Sequence, residues 1–76
     1  MMNEREMKVL KRIPKKYRKH IVSLKIEKTD YYNDRGQQIY YYTITYDNDQ
    51  EVTFDNQAYM LFMLKEYDVD GYYVAP

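Results

Sequence analysis

The feature that most restricts how this chain folds is a change in hydrophobic period. From His20 to Tyr46, apolar and polar residues alternate in steps of two, whereas the flanking stretches repeat at three and four. In HIVSLKIEKTDYY, Val22, Leu24 and Ile26 share one face, while Ser23, Lys25, Glu27 and Thr29 take the other. That pattern marks a half-buried strand. In QQIYYYTITYD, Tyr40, Tyr42, Ile44 and Tyr46 alternate with Ile39, Tyr41, Thr43 and Thr45. Asn33-Asp34-Arg35-Gly36 lies between them and reads as a turn, with Gly36 free to take a positive φ.

Asp47-Asn48-Asp49-Gln50 then turns the chain into EVTFD, where Val52 and Phe54 point inward. Register decides the loop. A two-residue loop at Asn48-Asp49 pairs Tyr46 with Glu51 and mixes the faces. A three-residue, bulged loop pairs Tyr46 with Val52 and Ile44 with Phe54 and keeps the apolar face intact, because a one-residue slip turns every side chain over.

Helices flank this meander. Asn3 followed by Glu6 has the form of a capping box, with Met2 and Met7 placed as a hydrophobic staple. The helix ends at Ile13, because Pro14 disfavours a helical residue before it. Pro14 also suits the first turn of a second short helix through Lys19. Met7, Leu10, Ile13 and Tyr17 make a thin apolar stripe on a basic body. At the other end, Asp55 or Asn56 caps a helix whose wide apolar face comprises Tyr59, Met60, Phe62, Met63, Leu64 and Tyr67. Phe54 and Tyr59 are its staple pair, and Asp68-Val69-Asp70-Gly71 ends it.

The expected fold is α+β, one small domain spanning 1–76, since 76 residues hold a single core. A basic helical arm (1–19) is broken at Pro14 and precedes an antiparallel β-meander (20–55) of three or four strands. One amphipathic helix (56–67) packs on a face of the sheet, and 72–74 forms a short strand or tail.

Composition narrows the function. There is no cysteine, so no disulfide framework or thiolate metal site is expected. No apolar run approaches the ~18 residues of a membrane span, and the first residues lack the apolar centre of a signal peptide. These features imply a soluble cytoplasmic protein with no membrane partner. Residues built from AT-rich codons (Phe, Tyr, Met, Ile, Asn, Lys) number 35, against 10 of Gly, Ala, Arg and Pro, a skew typical of low-GC genomes and their phages. The formal net charge is zero. That zero joins a net +7 over residues 1–28, with ten basic and three acidic side chains, to a net −7 over residues 29–76.

Little in the chain points to chemistry. The lone His20 has no second histidine or cysteine with which to bind a metal or activate a nucleophile, and Ser23 sits mid-strand without a base. Tyrosine nucleophiles need a metal cluster or an arginine-rich pocket that a domain this small does not enclose. Asp68-Val69-Asp70-Gly71 and Asp47-Asn48-Asp49 lack the spaced glutamate of a calcium loop. Two glycines, Gly36 and Gly71, build no phosphate loop. Neither an enzyme nor a cofactor is expected.

Three surface features remain. The run from Lys8 to Lys19 is either a solvated helix face or a nucleic-acid arm, with Lys11, Arg12, Lys15, Lys16, Arg18 and Lys19 neutralising phosphates. Tyr31 and Tyr41 fall on the second sheet face, where they stack bases, anchor a protein interface, or lie under the N-terminal arm in a second small core. Tyr72 and Tyr73 are expected as exposed partner contacts. The turn acids, Asp47 and Asp49 among them, are ordinary loop residues or a patch for a basic protein.

No motif names a family. By size and composition alone, the chain is similar to the small non-enzymatic proteins with which phages and mobile elements inhibit host machinery, such as DNA-glycosylase inhibitors and anti-CRISPR proteins. The leading expectation is a non-catalytic protein-binding module with Tyr31, Tyr41, Tyr72 and Tyr73 as anchors. The alternatives are a nucleic-acid-binding protein that uses the basic arm, and a structural protein that self-assembles, as a homodimer or in stacks, through its charge split.

Overall fold

Asn3 sets the start of the first helix in the computed structural model, which describes residues 1–76. Its Oδ1 accepts from the Glu6 N–H at 2.8 Å, and Glu6 Oε1 accepts from the Asn3 N–H at 2.9 Å, closing the expected capping box. Helix α1 (Glu4–Arg12) ends where Ile13 turns extended before Pro14, and α2 (Lys15–Arg18) follows at once. The apolar stripe is rotated from the expected one. Met7 is exposed, and Glu6 and Val9 are buried in its place, whereas Ile13 is buried as expected and Leu10 and Tyr17 pack at the margin. Met2 does not serve Met7 as a staple; its Sδ lies 3.2 Å from the amide of Leu24.

Strands β1 (Ile21–Tyr32), β2 (Gln38–Tyr46) and β3 (Glu51–Phe54) form an antiparallel sheet in sequence order. Leu24 faces Ile44 and Ile26 faces Tyr42, as alternation requires. Val22 departs from the expectation. A bulge between Ile21 and Ser23 puts Ile21 against the core and leaves Val22 exposed. In the β1–β2 turn, Asn33 Oδ1 accepts from the amides of Arg35 and Gln37, and Gly36 takes φ +77°.

The β2–β3 loop keeps the expected faces but shifts the pairs by two residues. Tyr42 faces Phe54 and Ile44 faces Val52, while the Tyr46 N–H donates to the Gln50 carbonyl at 2.9 Å. Only three residues, Asp47 to Asp49, form the loop, and Asp49 accepts the left-handed position at φ +68°. The loop thus has the expected three residues and bulged form, and only the pairing expected across it lies two residues too far along β3.

Helix α3 (Gln57–Glu66) starts at Asn56, whose Oδ1 accepts from the Tyr59 N–H at 2.8 Å. It buries Met60, Met63 and Leu64, while Tyr59 and Phe62 remain exposed. Phe54 and Tyr59 meet edge to face at 6.2 Å, the expected pair. The chain closes with a separate hairpin, β4 (Asp68–Val69) and β5 (Tyr72–Tyr73), so no fourth strand joins the main sheet. Asp70 (φ +54°) and Gly71 (φ +91°) form its turn, with the two positive φ angles of type I′.

One core joins all of this. Val9 and Ile13 of the N-terminal segment, Leu24, Tyr42, Ile44, Tyr46 and Phe54 of the sheet, Met60, Met63 and Leu64 of α3, and Tyr73 belong to a single buried cluster. Both α1 and α3 thus lie on one side of the sheet. The N-terminal arm does not cover the second face.

Candidate functional site

The uncovered sheet face is built by the alternation that buries its opposite. Ser23, Lys25 and Glu27 of β1 stand across from Thr45, Thr43 and Tyr41 of β2, and Thr53 and Glu51 of β3 complete the rows. The Thr43 and Thr53 hydroxyls bond at 3.0 Å, and Lys25 Nζ lies 3.6 Å from Glu27 Oε1. Tyr41 is 40% exposed and Tyr31 64%. Tyr32, the last residue of β1, is equally open. The face is mixed in charge and carries aromatic side chains at one end.

The two edges of the sheet differ. Antiparallel pairing sends alternate backbone groups outward from an edge strand, and on β1 these include the amides of Leu24 and Ile26. Both are capped: the Ile26 N–H donates to Glu6 Oε2 at 2.8 Å, and Leu24 N–H to Met2 Sδ. Glu6 is buried yet held ionised. Its pKa is lowered, first by the Ile26 amide and then by that of Asn3, against the opposing effect of desolvation. On β3, Tyr42, Ile44 and Tyr46 use the inward groups of Phe54, Val52 and Gln50. Glu51 and Thr53 therefore face outward, and β3 has no partner strand on that side.

The residues nominated from the sequence are divided by the structure. Tyr73 is buried, its ring edge to face with Phe54 at 5.6 Å, so it is a core residue rather than an exposed contact. Tyr72 is half-buried and also committed. Its ring stacks on His20 at 4.5 Å, and its hydroxyl donates to Asp47 Oδ1 at 2.6 Å. Asp47 Oδ2 lies 2.8 Å from His20 Nδ1, and the Asp47 N–H donates to the His20 carbonyl. Asp47 is thereby held below the usual carboxylate range, chiefly by the Tyr72 hydroxyl and then by His20. The same bond raises Tyr72. This cluster ties the start of β1, the β2–β3 loop and the C-terminal hairpin together. Ser23 makes no hydrogen bond to His20, whose ring is engaged by Asp47 and Tyr72. Asp49 remains exposed at the loop tip.

In the basic segment, Lys11, Arg12, Lys15, Lys16 and Lys19 are exposed, and none has a carboxylate within 4 Å; the ion pairs are Lys8–Glu4, Lys25–Glu27 and His20–Asp47. Arg18 is used differently: its Nη1 donates to the Leu10 carbonyl at 3.2 Å, satisfying the C-terminal end of α1. The two charged halves touch where the basic segment ends. His20, at the end of the basic segment, bonds Asp47 directly, and the Lys19 side chain lies against Gly71 in the acidic hairpin.

Sequence reasoning missed the second role of Glu6, the His20–Asp47–Tyr72 cluster and the bare β3 edge. Only the hairpin carried a readable signal, since Asp-Gly between Val69 and Tyr72 is a strong type I′ turn signature. Comparison with protein-family models, with curated proteins and with solved structures finds no match to this chain.

Proposed function

We propose that this chain is a non-catalytic protein-binding module that acts by occupying the surface of a partner. It would work in the cytoplasm as the small inhibitors and regulators of phages and mobile elements do. The observation that carries this reading is the uncovered sheet face. A three-stranded sheet normally hides one side and solvates the other with polar alternation. Here the solvated side keeps Tyr41 exposed on a paired row opposite Glu27, with Tyr31 exposed where the β1–β2 pairing becomes irregular. Tyrosine on such a face supplies contact area at low entropic cost, and nearby charge selects and steers the partner. Tyr31, Tyr41 and Asp49 are the anchors in this reading, whereas Tyr72, Tyr73 and Asp47 serve the fold.

The test is capture from a host lysate by the immobilised chain, compared with the Tyr31→Ala/Tyr41→Ala variant. A specific protein recovered by the native chain and lost with the variant supports the reading. Capture unchanged by the variant counts against it.

One observation favours a second reading, nucleic-acid binding. Five exposed cations of the N-terminal segment lack carboxylate partners, as a phosphate-binding arm requires. That reading predicts oligonucleotide binding at low salt, with log affinity falling linearly in log salt and abolished by Lys15→Ala/Lys16→Ala/Lys19→Ala. Absence of binding at low salt removes it.

A further inference from the structure

The two edges of the sheet differ in how they are covered. An exposed edge strand is a template for another strand, and proteins normally blunt it. This chain blunts one. Glu6 and Met2 reach down from the start of α1 and occupy the outward amides of Ile26 and Leu24, so no strand can add to the middle of β1. The opposite edge is left open, with Glu51 and Thr53 presenting their backbone N–H and C=O groups outward and their side chains exposed.

The charge around the open edge identifies what fits it. From Asp49 to Asp55 the segment reads DQEVTFD, with three acids and no base. Glu51 lies on the uncovered face, Asp49 at the loop tip before it, and Asp55 just beyond the strand end. A second copy of β3, running antiparallel about Thr53, would set Glu51 against Asp55 of the other chain. Like charges directly opposed are destabilising. A phosphate backbone is repelled by the same residues. A strand with lysine or arginine at alternate positions would gain both the ladder hydrogen bonds and the cross-strand charge pairs.

We infer that the β3 edge, through the backbone of Glu51 and Thr53 flanked by Asp49 and Asp55, binds an extended basic segment of a partner protein by strand addition. The inference rests on the protein-binding reading and specifies its geometry. The added strand extends the uncovered face by one row, on the side where Thr53 and Glu51 end it. Because the contact is mainly backbone, it selects a pattern of alternating charge rather than one sequence, and added salt weakens it.

The experiment is amide hydrogen exchange on the full chain with an uncapped-edge probe, a synthetic heptapeptide of alternating lysine and threonine, and its glutamate–threonine counterpart as control. The lysine peptide should slow exchange at Glu51 and Thr53 roughly tenfold, as a hydrogen bond to a formerly solvated amide does. Val52 and Phe54, already in the ladder, should change little. Thr53→Pro removes an outward N–H without removing a β2 ladder bond, a substitution tolerated on edges, and should abolish the protection. If that variant unfolds, Glu51→Lys/Asp55→Lys keeps the backbone and should exchange the preference, binding the glutamate peptide and not the lysine one. No protection by the lysine peptide, equal protection by both peptides, or persistence in the charge-reversed variant overturns the inference. Protection that appears without peptide as protein concentration rises, or on adding an oligonucleotide, overturns it in favour of a second copy or a nucleic acid. Failure here with Tyr31→Ala/Tyr41→Ala still abolishing capture leaves the broader function standing.

Discussion

Glu6 Oε2 accepts a hydrogen bond from the Ile26 N–H at 2.8 Å while its other oxygen caps the Asn3 amide at the start of α1. One carboxylate thus satisfies two orphan donors, the Asn3 amide at a helix end and the Ile26 amide at a sheet edge twenty residues beyond Glu6. The pairing fixes α1 against β1 and lets Val9 and Ile13 reach the core. It also closes this edge to strand addition, so the geometry that stabilises the fold leaves β3 as the open edge of the sheet.

Replacing Glu6 should therefore cost more than a surface capping residue does. Glu6→Ala leaves the Ile26 N–H without a partner in a part-buried position, which costs about 1–3 kcal/mol. The expected effect is acid-sensitive. Glu6 has a lowered folded pKa, so its contribution is present above the ordinary glutamate pKa and is lost as pH falls through the depressed value. Urea unfolding of the native chain and Glu6→Gln at neutral pH and in acid should show the gap between them narrowing at low pH. A constant gap would mean that the carboxylate charge contributes nothing.

Gly71 is required by its conformation and by its neighbours. Its φ is +91°, and an added Cβ would meet His20 Cδ2 at 2.6 Å and Lys19 Cε at 2.7 Å. Lys19 is flexible and can move, but the His20 ring is held by Tyr72 and Asp47. Gly71→Ala should destabilise by about 1–3 kcal/mol, the range for strained backbone. It should also raise hydrogen exchange in 68–74 before the sheet loosens. Gly36→Ala meets open space and suffers only the φ term, so the two variants together separate strain from crowding.

The boundary between what was legible and what was not follows the range of the interactions. Period-two alternation, the Asn3–Glu6 box, the Asn33–Gly36 turn and the Asn56 cap are local, and each is present as read. The bulge at Val22, the two-residue shift in β2–β3 pairing and the burial of Glu6 and Tyr73 depend on contacts made after the chain has folded back. Asp47 shows the limit. In sequence it is one acid of a turn, and only the hairpin's return brings Tyr72 and His20 to it. Asp70-Gly71 differs because its turn signature is local and was there to be read. The uncovered face was legible as an alternative, but whether the arm crossed it was not, since one helical turn decides which side of α1 is apolar.

Tyr72→Phe keeps the ring stacked on His20 and deletes only the hydroxyl bonded to Asp47. Because that hydroxyl is the largest influence lowering the Asp47 pKa, the carboxyl should titrate at higher pH in the variant. Carbon-detected NMR titration of the aspartate side chains reads this directly. An Asp47 titration unchanged by the substitution would show the bond to be absent in solution.

Tyr46 supplies the alkaline counterpart. Burial, then the negative charge of Asp68, pushes its pKa up to about 12. A group whose folded pKa is raised contributes stability that is complete below its unfolded value and declines as pH rises through the folded one. Native stability should thus fall between about pH 10, the free tyrosine value, and the raised value near 12. Tyr46→Phe should remove that part of the decline and the late step in tyrosinate absorbance.

Val22 and Leu24 give the sharpest contrast between reading the sequence and reading the fold. Alternation alone places both on the core face and predicts similar losses on truncation. The bulge after Ile21 separates them: Leu24 is 1% exposed and Val22 57%. Leu24→Ala should cost about 2–5 kcal/mol, the range for a buried leucine that leaves a cavity. Val22→Ala should stay within about 0.5 kcal/mol of the native chain, as ordinary surface changes do. Ile21→Ala, at a site partly buried against the core, should fall between them. Chemical denaturation of the three variants tests the register directly. If Val22→Ala is as damaging as Leu24→Ala, the strand runs without a bulge, and Ile21 rather than Val22 faces solvent.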